Sequence, residues 1–89
     1  MSALRGVLRV RNRLGMHARP AALFVQTAGK FKCSIKVAKG DVEVNGKSMM
    51  GLMMLAAEQG SELHVTMEGD DAPQLLTELQ RLFERNFGE

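Results

Sequence analysis

The chain has no tryptophan, no tyrosine, a single cysteine, two prolines and two histidines. A lone cysteine, Cys33, leaves nothing for an internal disulfide to join, which suits a reducing compartment. Two histidines and one cysteine are a poor ligand set, so neither a metal nor any other cofactor is expected. No apolar stretch approaches the roughly 20 residues that a membrane-crossing helix needs. The segment Met1-Ser2-Ala3-Leu4-Arg5-Gly6 also lacks the apolar run of a signal peptide. No membrane insertion and a cytoplasmic location are therefore expected.

What remains is 89 residues at 45% hydrophobic content, enough for a single domain over residues 1–89 with a small core of Leu, Val, Met, Ala and four Phe. The net charge is only +2, but Arg5, Arg9, Arg11, Arg13 and Arg19 crowd the first quarter while acidic residues dominate the last third. A solvated strand face is the plainest reading of that asymmetry, followed by an acidic protein partner and then nucleic acid. A sheet that binds RNA stacks bases on aromatics. Here Tyr and Trp are absent and Phe24, Phe83 and Phe87 fall in predicted helices, so no nucleic-acid partner is expected.

Leu4 to Arg11 alternates as a half-buried strand does, with Leu4, Gly6, Leu8 and Val10 on one side. Asn12 to Gly15 breaks the pattern, and from Ala18 the period becomes helical. Ala21, Phe24, Val25 and Ala28 form the inward stripe, Ala22, Leu23 and Gln26 lie off it, and Gly29 is expected to close the helix. Cys33, Ile35 and Val37 mark a second strand, returned through Lys39-Gly40-Asp41 to Val42 and Val44 as a hairpin. Met49 to Leu55 is a short segment whose core contacts are assigned to Leu52 and Leu55. Leu63, Val65 and Met67 alternate in a fourth strand that turns His64 outward. Gly69-Asp70-Asp71 supplies turn and cap residues before a final helix carrying Leu75, Leu76, Leu79, Leu82 and Phe83. The order β-α-β-β-α-β-α predicts an α+β fold, an open-faced two-layer sandwich with three helices on one face of a four-stranded, mainly antiparallel sheet.

Chemistry concentrates at the first strand-to-helix junction. A lone histidine near a helix start is ordinarily a cap or surface residue. His17, however, follows Gly15, sits beside the small Ala18, and precedes Arg19 and Pro20 in the first turn. A cap requires only a polar side chain. A neutral histidine with arginine donors and a helix N-terminus close by could accept a phosphoryl group and hold its charge. No Ser, Cys or carboxylate adjoins it to make a hydrolytic set. Gly46-Lys47-Ser48 resembles the end of a phosphate-binding loop, but that motif needs a glycine five positions before Gly46, where Asp41 stands. Nucleotide binding is rejected.

The run Asn12-Arg13-Leu14-Gly15-Met16-His17-Ala18-Arg19-Pro20-Ala21-Ala22 resembles the phosphohistidine site of the HPr family, the phosphocarriers of the bacterial phosphotransferase system. A second stretch, Val44-Asn45-Gly46-Lys47-Ser48-Met49-Met50-Gly51-Leu52-Met53-Met54-Leu55, is similar to that family's regulatory serine segment, and Gln59-Gly60-Ser61-Glu62-Leu63 agrees as well. The resemblance implies that His17 takes a phosphoryl group on Nδ1 from phosphorylated enzyme I, charged by phosphoenolpyruvate, and passes it to EIIA-type proteins, with Arg19 steadying the phosphate. Such a protein is a carrier between enzymes rather than an enzyme by itself, and a monomer is expected.

The resemblance further implies phosphorylation of Ser48 by an HPr kinase/phosphorylase in some bacteria. It also places Met49, Met50 and Met53 beside the histidine, with Ala22 and Leu23 completing a docking patch. Met54 stands where relatives are often polar. Methionine suits a surface that receives several partners. Two alternatives from within the same fold are a nitrogen-branch regulatory carrier and a binding module that transfers nothing. The presence of His17 argues against the second.

Overall fold

The computed structural model describes residues 3–88. Strands β1 (Leu4–Arg9), β2 (Ser34–Lys39), β3 (Val42–Asn45) and β4 (Glu62–Glu68) alternate with helices α1 (Ala18–Gly29), α2 (Met49–Met54) and α3 (Ala72–Glu84), followed by a 3-10 turn at Asn86–Gly88. The sheet order is β1-β4-β2-β3 and every neighbouring pair is antiparallel. This is the α+β open-faced sandwich expected from the sequence.

Alternation decides which side of the sheet is covered. Leu8, Ile35, Val37, Leu63, Val65 and Met67 point inward and are buried. They meet Ala21, Phe24 and Ala28 of α1, Leu52 of α2, and Leu75, Leu79 and Phe83 of α3. Burying one such large side chain contributes about 1.5–3 kcal/mol. Phe24 and Phe83 join the two long helices edge to face with ring centroids 6.1 Å apart, and Phe87 meets Phe83 in a second inclined, edge-type contact at 4.7 Å. All three rings are spent on the core, so the uncovered face offers none of them for stacking. His64 lies on that uncovered face, opposite Val7 of β1 and Ala38 of β2.

Four details differ from the sequence reading. First, β1 ends at Arg9 rather than Arg11, because its partner β4 begins only at Glu62. Val10 still bonds across, its N–H donating to Ser61 O (2.9 Å) and its carbonyl accepting from Gly60 N–H (2.8 Å). Second, Gly29 ends α1 without a left-handed turn. Lys30 stays right-handed at φ −76° and the chain leaves through a tightened last turn, with Phe31 N–H donating to Ala28 O (3.1 Å). Third, Val25 and Leu23 are both half-buried against the core edge, so the inward stripe is narrower than its period suggested. Fourth, Phe87 belongs to the terminal turn rather than to a helix, with a left-handed φ of 57°.

Candidate functional site

His17 occupies the N-cap position of α1, with an extended backbone (φ −77°, ψ −172°) and its carbonyl accepting from Ala21 N–H at 3.0 Å. Its side chain makes no cap hydrogen bond to the helix. Pro20, buried in the first turn, lacks only an N–H that a first turn leaves unbonded anyway.

The loop that delivers His17 is clamped by the residues just before β4. Gln59 Nε2 donates to Arg11 O (3.0 Å), and Met16 N–H donates to Ala57 O (2.8 Å). Within the loop, Asn12 Nδ2 donates to Gly15 O (2.7 Å) while Gly15 N–H donates to Asn12 O (3.1 Å). Gly15 sits at φ +70°, and a Cβ there would lie 2.4 Å from Ala57 O. Glycine is the residue whose backbone both turns left-handed and lies flush against this clamp. The Gln59-Gly60-Ser61 segment, which in the sequence only matched the family pattern, thus proves to be the support of the histidine loop.

Arg19 is exposed and lines an open hollow of about 750 Å³ with Arg11, Arg13, Leu14, Gln59 and Asn86. Among the described residues no carboxylate lines it, so three guanidiniums set a positive potential over that surface. His17 is not among the lining residues. Arg9, by contrast, is drawn out of this set by Glu62, paired at 2.6 Å across β1 and β4 on the exposed side. The first-quarter arginines therefore divide between a solvated strand pair and a basic hollow beside the α1 start.

Helix α2 is pinned at both ends. Ser48 Oγ accepts from Gly51 N–H at 3.0 Å, the cap the sequence pointed to. At the other end, where Ala56 turns left-handed (φ +49°), Lys39 Nζ donates to Ala56 O at 3.1 Å. A cation at the carbonyl end of a helix meets its negative pole. Six residues would be marginal as an isolated helix, and these anchors plus buried Leu52 and Leu55 hold it. Lys47 Nζ donates to Phe31 O at 2.7 Å, joining the approach to α2 to the exit of α1. Neither lysine announced such a bond in the sequence, because each partner lies more than a dozen residues away.

Leu52 faces inward, which leaves the methionines of α2 outward. Met50 is 75% exposed, Met54 69% and Met53 45%, while Met49 is half-buried against the core edge. Ala22 and Leu23 are half-buried on α1, against which α2 packs.

Asp71 stands at the N-cap of α3 but does not cap it. Its carboxylate accepts instead from Lys32 N–H (2.8 Å) and Cys33 N–H (2.9 Å), fastening the loop that enters β2. Those bonds, the one from Lys32 first, hold its pKa below the ordinary carboxylate value. Cys33 is buried, and burial followed by the Asp71 carboxylate pushes its thiol pKa up.

Among the described residues no helix is long and apolar enough to cross a membrane, and no group of three His, Cys, Asp or Glu side chains is placed to hold a metal.

The chain matches the family model described as "PTS HPr component phosphorylation site" over residues 5–85. It is 48% identical over 82 residues to phosphocarrier protein HPr of Treponema pallidum, covering 92% of this chain and 93% of the relative. Among solved structures, HPr-C-His from Thermoanaerobacter tengcongensis superposes with a TM-score of 0.92 at 45% identity, covering 97% of both chains. A structure described as an HPr dimer from the same organism gives 0.78 at 48% identity, covering 92% of this chain and 94% of its own. With the β1-α1 junction, the sheet order and nearly the whole length in agreement, the chain belongs to the HPr family of phosphocarriers of the phosphotransferase system.

Proposed function

We propose that His17 is the phosphoryl acceptor, loaded by phosphorylated enzyme I and unloaded onto EIIA-type domains. A neutral ring nitrogen attacks phosphorus, an N–P bond forms as the donor's bond to phosphorus breaks, and the step reverses in kind at the acceptor. The observation that carries this reading is the position of His17 at the start of α1, on a loop held rigid from behind by Ala57 and Gln59. Phosphoryl transfer is mostly positioning and charge stabilisation. Helix-start N–H groups and the nearby Arg19 supply the positive end, and each partner completes the other half of the site. Met49, Met50 and Met53 of α2, with Ala22 and Leu23, form the apolar docking surface, and Met54 stands exposed on the same helix. The carrier works as a cytoplasmic monomer, a state that sedimentation at working concentration tests.

Ser48 is the regulatory position. A phosphate on its hydroxyl places roughly −2 charge on the same surface. Docking to the phosphoryl donor then weakens through desolvation and repulsion. The Lys47-Ser48 pair favours the sugar-transport branch over the nitrogen branch, since it resembles carriers regulated by that kinase.

The test is incubation with enzyme I and phosphoenolpyruvate, followed by detection of acid-labile phosphate. Wild type is expected to label and His17→Ala to stay unlabelled. Arg19→Ala is expected to transfer about tenfold or more slowly while keeping the fold, the scale of losing a hydrogen bond to a charged group. Equal labelling of His17→Ala would overturn the assignment, and unchanged rates would remove Arg19 from the mechanism.

A further inference from the structure

The sulfur atoms of this molecule are unevenly distributed between core and surface. Met16, Met67 and Cys33 are each at most 5% exposed, so solvent oxidants reach them poorly. Met50, Met53 and Met54 are 75%, 45% and 69% exposed, and all lie on the single six-residue helix α2. The most exposed thioethers of the described residues are thus gathered on one short helix, which packs against α1. With no tryptophan or tyrosine and a buried cysteine, only the half-buried Met49 of the same helix competes with them among the described residues.

From this we infer that Met50, Met53 and Met54 form an oxidation site, and that a hydroperoxide converts them to sulfoxides that weaken docking to the phosphoryl donor. This rests on the docking role proposed above. In each event the sulfur lone pair takes one oxygen from hydrogen peroxide. The O–O bond breaks and an S–O bond forms, while the proton shed by the transferred oxygen goes to the departing hydroxide, which leaves as water. Sulfur is oxidised by two electrons and the peroxide is reduced. The product exchanges a flexible apolar group for a strongly polar, chiral one, and it is reversible by methionine sulfoxide reductases. A sulfoxide oxygen pressed into an apolar contact loses its water without gaining a donor. None of the three side chains belongs to the buried core, so the fold survives the change.

The experiment treats the full chain alone with hydrogen peroxide, removes the oxidant, and then measures phosphoryl transfer from phosphorylated enzyme I. Peptide mass spectrometry should find oxygen added at Met50, Met53 and Met54 well before Met16 or Met67, with the circular dichroism unchanged. The KM of enzyme I for the carrier should rise about tenfold, the scale of burying an unsatisfied polar group. Treatment with both sulfoxide reductases should restore it. In a Met50→Leu/Met53→Leu/Met54→Leu variant, the treated rate should equal that variant's own untreated rate. Complete oxidation of the three with transfer unchanged would overturn the inference while leaving the His17 assignment standing. So would oxidation of Met16 and Met67 at the same pace, or equal inactivation of the leucine variant. Failure of the untreated chain to accept a phosphoryl group at all would overturn the carrier reading and this inference with it.

Discussion

Helices α1 and α2 pack against each other and begin differently. At α2, Ser48 turns its hydroxyl back onto Gly51 N–H, satisfying a first-turn donor as a cap should. At α1 the same position holds His17, whose side chain makes no such bond. The start of α1 is instead stabilised from outside, by Pro20 buried in its first turn and by the clamp from Ala57 and Gln59. Helix α3 is a third case, because Asp71 at its cap position turns its carboxylate to Lys32 and Cys33. A side chain at a helix start is either turned back onto the helix or turned to other work. At α1 that other work is the phosphoryl chemistry proposed for His17.

The sharpest way to break this comparison is to truncate both caps. His17→Ala should remove all phosphoryl transfer while keeping the fold. Ser48→Ala should lower stability by about 1 kcal/mol, the usual cost of a lost serine cap. Urea denaturation alongside a transfer assay measures both. Residual transfer by His17→Ala, or an unchanged stability of Ser48→Ala, would contradict the contrast between the two positions.

The Asp71 arm of the comparison is read by pH. Its carboxylate pKa is lowered in the folded chain, so its stabilising effect is present above the unfolded-state carboxylate pKa. That effect fades as pH falls through the lower, folded value. Asp71→Asn should therefore destabilise at neutral pH, and the gap to wild type should close in strongly acidic solution. A gap independent of pH would show that the charge plays no part.

The smallest effect lies at the far end of α1. Gly29 has an ordinary φ and a Cβ there would meet nothing within 4 Å. Gly29→Ala should raise stability by about 0.4–1 kcal/mol by restricting the unfolded chain. Thermal melting checks this, and a loss would mean that the glycine is needed in a conformation the structure does not show.

How much of this was legible beforehand follows the range of each interaction. The strands and helices were readable because Leu63, Val65 and Met67 alternate, while Leu75, Leu79 and Phe83 keep helical spacing, and one buried face enforces each pattern. The Ser48 cap was readable because its partner is three residues away. Asp71 reads as a cap in the sequence, but the donors it accepts from lie 38 and 39 residues back along the chain. Lys39 and Lys47 were invisible as anchors for the same reason. Gly29 misled in the opposite way, since glycine after a helical stripe suggests a left-handed end and the chain used a tightened turn instead. At the site, the motif around His17 was conspicuous, but nothing in it revealed that Gly15 must lie against Ala57.

The central claim separates the two histidines, His17 at the α1 start and His64 on the uncovered sheet face. Nitrogen-15 NMR of the imidazole rings, before and after phosphoenolpyruvate and a trace of enzyme I, observes both at once. The account predicts that the His17 ring alone acquires the signature of a nitrogen–phosphorus bond, at Nδ1, with His64 unmoved. A phosphorylated His64, or two unchanged rings while phosphate is incorporated elsewhere, would contradict it.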